Sequence, residues 1–334
     1  MSTLTIQTPD SGDLKDRVAR FQQIRDDIVT QVRRVIVGQN EVIEQVLIAL
    51  FVGGHCLITG LPGTAKTLLV RTLATILGLD FRRIQFTPDL MPSDIVGSEV
   101  LEESPGGKRS FRFIPGPIFG QLLMADEINR ASPRTQSALL QAMQEQHVTV
   151  AGSRHDVPRP FHVLATQNPI EQEGTYPLPE AQLDRFLMQI DVDYPDRDAE
   201  RRIVFDTTGT EESKPKPTMT ADELIAAQRL VRRLPVGESV VDAILSLVRA
   251  ARPGPESGDI GKVISWGPSP RASQALMLAA RARALLDGRL SPSIDDVLAM
   301  AEPILKHRMA LTFAARADGE TMDAVIGKLK SRVG

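Results

Sequence analysis

A chain of 334 residues is long enough for about two domains, and 42% hydrophobic with 24% charged residues is an ordinary globular make-up, which excludes small disulfide scaffolds, wholesale disorder and fibrous repeats. Lys and Arg total 39 against 42 Asp and Glu, a net charge of −3, so any contact with nucleic acid or anionic lipid must be local. The single cysteine, Cys56, excludes an internal disulfide and a cysteine-based metal cage.

Met1 to Asp13 is polar and lacks the basic-then-apolar order of a signal peptide, which points to the cytoplasm. From Leu14 to Val35, Leu14, Val18, Phe21, Ile28 and Val35 recur at helical spacing among charges, predicting an amphipathic N-terminal helix within residues 1–36. A second helical pattern covers Glu41 to Phe51. The most apolar run, Val46 to Ile58, is broken by Gly53, Gly54 and His55 and is too short for a membrane span. Short apolar runs at His55–Thr59, Phe81–Phe86, Gln121–Ala125, Phe161–Ala165 and Leu187–Val192 then alternate with helical stretches, the pattern of an α/β domain with a largely parallel sheet. Ser132 caps, and Pro133 opens, a helix that ends near Gln146. Ser98–Ile114, and His147–Pro158 with its Gly-Ser turn, interrupt the alternation and are read as inserted hairpins.

The composition of Gly209 to Thr218 sustains neither helix nor strand, so a linker at 209–219 divides an α/β core at 37–208 from a smaller domain at 220–334. In that second domain Thr220 and Glu223 form a capping box and Ser291-Pro292 opens another helix. No strand is predicted there, so the domain is expected to be all helical, and no long-period repeat is present.

Gly60-Leu61-Pro62-Gly63-Thr64-Ala65-Lys66-Thr67 follows a short apolar strand and leads into the helical run from Leu68, the setting of a phosphate-binding loop. Backbone amides would face an anion, Lys66 would reach the outer phosphates, and the Thr67 hydroxyl would coordinate Mg2+. Ala65 stands where the pattern has a second glycine, and its methyl is tolerated if the residue already has helical geometry. An ordinary strand–turn–helix connection is the competing reading. Asp126-Glu127 ends the Gln121 run, placing two acids at the carboxyl edge of the sheet, where open α/β sheets bind ligands. Adjacent carboxylates need compensation, which Mg2+ held by Asp126 would supply, while Glu127 would polarise the attacking water. A solvated acidic pair at a helix start is the alternative. Asn168, at the end of the Phe161 run, is either a water-positioning amide beside that crevice or a turn residue before Pro169. Arg185 could project into a neighbouring subunit's phosphate site and Arg271 could couple a lid to the nucleotide, but most arginines are solvated surface groups.

The ordered motifs from Val37 to about Ala272 resemble the AAA+ ATPases and, within them, the MoxR family. The general elements are the Walker A loop at Gly60–Thr67, the Walker B strand ending at Asp126-Glu127, sensor 1 at Asn168, an arginine finger at Arg185 and sensor 2 at Arg271. More specific are the run Asp126 to Ala131, Gln167-Asn168-Pro169, the run Glu173 to Phe186 and Ser269-Pro270-Arg271-Ala272. MoxR proteins commonly share the Ala65 departure. The resemblance implies an AAA+ core followed by a helical lid, and a ring, usually hexameric, with ATP at subunit interfaces and Arg185 donated in trans. It also implies that Val37-Gly38-Gln39 packs near the adenine, and that Gly60, Pro62, Gly63, Thr64, Ala65, Lys66, Thr67 and Leu68 bind the nucleotide. The two hairpins correspond to the helix-2 and pre-sensor-1 inserts, making Arg109, Arg112, Arg154 and His155 candidate contact residues, with solvated loop tips as an equal reading.

MoxR-like proteins are chaperone-like ATPases that act with von Willebrand factor A domain proteins on a client complex. The expected function is therefore ATP hydrolysis coupled to movement of the lid. One alternative is a related motor on DNA or a metal-chelatase ATPase, although 4% aromatics offer no stacking platform for single strands. A nucleotide-gated scaffold with little turnover is another, against which Glu127 argues. His147, His162 and His307 show no metal-ligand spacing, and Cys56 is read as core.

Overall fold

The central sheet is built from β1 (Cys56–Gly60), β2 (Phe81–Gln85), β5 (Leu122–Asp126), β8 (His162–Gln167) and β9 (Met188–Val192), in the spatial order β2-β5-β8-β1-β9. Every pairing in it is parallel. The protein is described as a computed structural model covering residues 14–103, 109–170, 174–209, 214–254 and 257–333. All five apolar runs of the sequence are strands, with ends displaced by a residue or two.

The strands alternate between two apolar layers. Cys56, Ile58, Leu122, Met124 and Leu164 face one of them, which contains α1 (Leu14–Arg33), α2 (Asn40–Val52) and α3 (Lys66–Ile76). Leu57, Leu123, Ala125, Val163 and Ala165 face the other, with α4 (Pro92–Val96) and α5 (Pro133–Glu145). Ser132 caps α5 by accepting from Thr135 N, as its sequence predicts. The chain then passes through α6 (Glu180–Leu183) into β9 and on to α7 (Arg197–Thr208), where Ala199 is the buried residue.

Both inserts are antiparallel hairpins: β3 (Gly97–Glu103) with β4 (Arg109–Pro115), and β6 (His147–Val150) with β7 (Ser153–Asp156). The second turn is Ala151-Gly152 rather than Gly-Ser. Both residues have positive φ, 48° and 83°, as a two-residue loop matching the strand twist requires.

Of the linker, residues 210–213 lie outside the described residues, as does Glu173 of the family-like run. Beyond it, Thr218 N and Met219 N both donate to Ile76 O at the end of α3. The helices that follow are α8 (Ala221–Arg233), α9 (Glu238–Ala250), α10 (Asp259–Val263), α11 (Pro270–Leu286), α12 (Ile294–Leu305), α13 (Phe313–Ala317) and α14 (Met322–Lys330). The Thr220–Glu223 capping box is present. The cap of α12 is Ser293, boxed with Asp296, two residues beyond Ser291. Among the described residues this region is helical as expected, with one exception: β10 (Ile264–Trp266) pairs antiparallel with β11 (Ala310–Leu311). Runs of three and two residues are too short for alternation to register in a sequence.

The two regions share one continuous apolar cluster. It joins Val18, Phe21, Ile28 and Val32 of α1 and most of α2 to Leu224 of α8, Leu247 of α9, Leu276 of α11 and Leu305 of α12. Phe21 meets Phe51 edge-on at 4.8 Å. Among the described residues no helix is long and apolar enough to cross a membrane.

Candidate active site

β1 delivers its last residue, Gly60, against β9, where a Cβ would lie 2.5 Å from Val192 O, so only glycine fits. The loop then turns through Gly63 (φ 83°) and Ala65 (φ 59°, ψ 21°) before α3 begins at Lys66. Ala65 is therefore left-handed rather than helical, correcting the condition under which its methyl was expected to be tolerated. The conformation costs an L-residue about 1–2 kcal/mol. The loop is braced from within: Thr64 Oγ1 donates to Leu61 O (2.9 Å), and Lys66 Nζ to Leu61 O (2.8 Å) and Gly60 O. Gln39 Nε2 donates to Thr64 O at 3.2 Å, tying the Val37-Gly38-Gln39 segment to the loop. Burial holds Lys66 below the usual lysine range, with Asp126 and Glu127 pulling it back.

Parallel pairing brings the ends of β5 and β8 alongside this loop. Thr166 links the two acids: its Oγ1 donates to Asp126 Oδ1 (2.5 Å) and accepts from Glu127 N (2.9 Å). Asp126 is only 9% exposed, and its Oδ2 accepts from Arg83 Nη2 at 2.6 Å. Glu127, left-handed at φ 56°, accepts from Gln85 Nε2 at 2.7 Å and pairs with Arg130 at 3.2 Å. The chain's own donors thus share in compensating both carboxylates. Sequence reasoning missed Thr166, Arg83, Gln85 and Arg130. The readable signal was Arg83 and Gln85 two apart on the edge strand β2, which places both on one face beside Asp126. Thr166→Val, nearly isosteric, leaves a buried acceptor and donor unpaired. It is expected to cost about 1–3 kcal/mol in urea unfolding, and an unchanged midpoint would mean Thr166 does not hold the acids.

Pro62, Gly63, Thr64, Ala65, Lys66, Thr67 and Leu68 line one cleft of about 430 Å³ together with Asp126, Glu127, Thr166, Gln167 and Asn168. Asn168 Oδ1 also accepts from Ile170 N (3.2 Å), so it is both a turn residue and a cleft residue. Gly60 stands behind the loop, and Val37, Gly38 and Gln39 adjoin it without lining the cleft. Thr67 and Asp126 offer hard oxygen donors of the kind Mg2+ takes alongside substrate phosphates. Among the described residues no group of three or more His, Cys, Asp or Glu forms a metal cage.

Arg185 and Arg271 are not in that cleft. They line a second pocket with Met143, Gln144, Asp184 and Gln274. Arg185 precedes β9 and so emerges at the amino edge of the sheet, whereas the cleft lies at the carboxyl edge, separated by a five-residue strand of about 16 Å. The hairpin candidates are internally paired: Arg109 with Glu103, Arg112 with Glu102, Arg154 with Asp156. His155 stacks on Phe113 at 3.8 Å, joining the two hairpins. The first hairpin also exposes apolar side chains, Val100, Leu101, Phe111 and Ile114, with Leu101 opposite Phe111.

Residues 55–188 match the family described as ATPase family associated with various cellular activities (AAA), and residues 260–329 match the AAA lid domain. Chaperone MoxR1 of Mycobacterium tuberculosis is 42% identical over 307 residues, 91% of this chain and 80% of that protein. This chain belongs to the MoxR family of AAA+ ATPases. Another relative, YeaC of Bacillus subtilis, is 42% identical over 309 residues, covering 91% of this chain and 92% of its own. The crystal structure of a candidate ATPase from Cytophaga hutchinsonii superposes with a TM-score of 0.88 at 35% identity, covering 97% of this chain and 98% of that one. The MoxR fold, an AAA core with a parallel sheet and a helical lid, is therefore common to this chain and that neighbour.

Proposed function

We propose that this MoxR-family chain hydrolyses ATP, with residues 37–208 as the ATPase core, 209–219 as linker and 220–334 as lid, and that it works as a chaperone-like remodeller of a client protein complex. The observation that carries the reading is the convergence of the loop, the acidic end of β5 and the tip of β8 on one cleft.

In this reading the loop amides and Lys66 bind the phosphates, while Leu68 and the Val37-Gly38-Gln39 segment serve the rest of the nucleotide. Thr67 and Asp126 hold Mg2+, which neutralises phosphate charge when bound. Glu127 takes the proton of the attacking water, and Asn168 orients that water. Arg185 and Arg271 leave their own chain's cleft untouched and act together on a neighbour's γ-phosphate, which their shared pocket at the opposite sheet edge supports. A homo-oligomeric ring, six copies by family resemblance, meets that need. A von Willebrand factor A domain partner follows from the same resemblance, and the setting is the cytoplasm expected from the sequence. The paired hairpin arginines give no basic face for DNA, which leaves the nucleic-acid motor with less support.

Glu127→Gln is expected to bind ATP normally and hydrolyse it about 10²-fold more slowly or worse, whereas Lys66→Ala weakens binding itself. Nucleotide binding and phosphate release, measured side by side, check both. Parental turnover in Glu127→Gln would remove Glu127 from the role, and negligible turnover in the parent would favour a nucleotide-gated scaffold.

A further inference from the structure

Arg308 heads the largest fully buried side chains and is 2% exposed. A guanidinium in such a place is tolerated only if its donors are met. Nε donates to Asp184 Oδ1 (2.8 Å). Nη1 donates to Leu187 O (3.0 Å) and Ile304 O (2.7 Å) and also touches His307 Nε2 (2.7 Å), and Nη2 donates to Phe186 O (2.5 Å) and, more weakly, to Asp184 O. His307 Nε2 also faces Phe186 O at 3.3 Å, so this ring shares with Arg308 the carbonyl that follows Arg185.

Four of these acceptors belong to residues 184–187, the stretch that carries Arg185 between α6 and β9. The other oxygen of Asp184 accepts from Ser269 Oγ (2.9 Å), the cap of α11, and lies 3.9 Å from Arg271 Nη1. One carboxylate therefore joins Arg308, the start of the helix bearing Arg271, and the segment bearing Arg185. The two arginines carry the same charge and line one pocket, with Asp184 as the carboxylate among its lining residues.

We propose that Arg308 is a positioning residue: from within the lid it holds the Asp184–Leu187 backbone and the Asp184 carboxylate, so that Arg185 and Arg271 are presented as one rigid pair and a seated lid becomes a condition for turnover. This rests on the reading of Arg185 as a phosphate-recognising group.

Arg308→Lys keeps the charge but cannot span the acceptors. It is expected to bind ATP within about two-fold of the parent and to lose about 10- to 100-fold in kcat, the size of loss that a misplacement near 1 Å brings. A merely structural role predicts a loss that multiplies with that of Arg185→Ala. Positioning predicts that Arg308→Lys/Arg185→Ala is no slower than Arg185→Ala alone. Parental kcat in Arg308→Lys, or multiplying losses in the double variant, overturns the proposal. Parental kcat in Arg185→Ala overturns instead the reading beneath it. Should Arg308→Lys fail to fold, Asp184→Asn carries the test: the amide no longer serves both Ser269 and Arg308, and kcat is expected to fall to the level of Arg271→Ala. A parental kcat there refutes the proposal.

Discussion

Arg185→Ala is expected to slow ATP turnover by about 10³-fold or more while leaving ATP binding nearly intact. The size of the effect follows from what an arginine can do for a γ-phosphate whose charge spreads over its oxygens as it transfers. The selectivity follows from position: Arg185 sits at the amino edge of the sheet and the proposed phosphate cleft at the carboxyl edge, so removing it takes nothing from its own chain's cleft. Mixing supplies the decisive measurement. An inactive Arg185→Ala chain retains Glu127, and an inactive Glu127→Gln chain retains Arg185. Where the second abuts the first in a head-to-tail ring, a complete site reforms at up to about a quarter of the interfaces. Turnover that reappears on mixing two dead variants supports donation in trans, and silence at every ratio contradicts it.

Acid is expected to destabilise the fold well above the pH at which carboxylates titrate. His55 and His162 are fully buried at the amino edge of the sheet, and burial pushes each down to about 4 from an ordinary 6.5. Their hydrogen bonds fix both rings as neutral. His55 Nδ1 accepts from Val163 N (3.0 Å) and its Nε2 faces Met143 O, while His162 Nδ1 faces Gly54 O (3.1 Å) and its Nε2 meets Gln228 Nε2 of α8 (3.1 Å). With folded values below the unfolded ones, the stability these rings support is complete above pH 6.5. It falls as the pH drops towards 4, by about 3 kcal/mol for each ring. His307 is lowered well below its ordinary value by burial and by Arg308, and adds in the same direction. Urea unfolding between pH 7.5 and 4.5 measures the slope, and a flat profile above pH 5 would show that the pair does not titrate on unfolding.

The sheet was legible because buried parallel strands write themselves as short apolar runs, and the Gly60–Thr67 loop because its spacing stands out between strand and helix. The acids were legible as a pair, and their partners only as a two-residue spacing on β2. Arg83 and Gln85 read as solvent-facing residues of a short strand, and only the register β2–β5 turns them toward Asp126 and Glu127. Ala65 was legible as a departure from pattern, yet its backbone conformation is set by the loop as a whole. Arg308 carried no signal, because its burial depends on acceptors some 120 positions earlier in the chain. Movement of the lid against the core was the motion expected from the linker's composition. The apolar cluster running through both regions argues against an easy hinge there.

From Val42 to Val52, α2 is buried at every position except Glu44, a helix with almost no polar face. It lies between β9 on one side and α8 and α11 on the other, so it acts as the spindle on which both halves of the molecule are wound. Cutting the chain at the linker would strip this spindle bare, and neither fragment would be expected to remain soluble by itself. A stroke of the kind proposed above would accordingly have to leave each molecule whole rather than part its two halves.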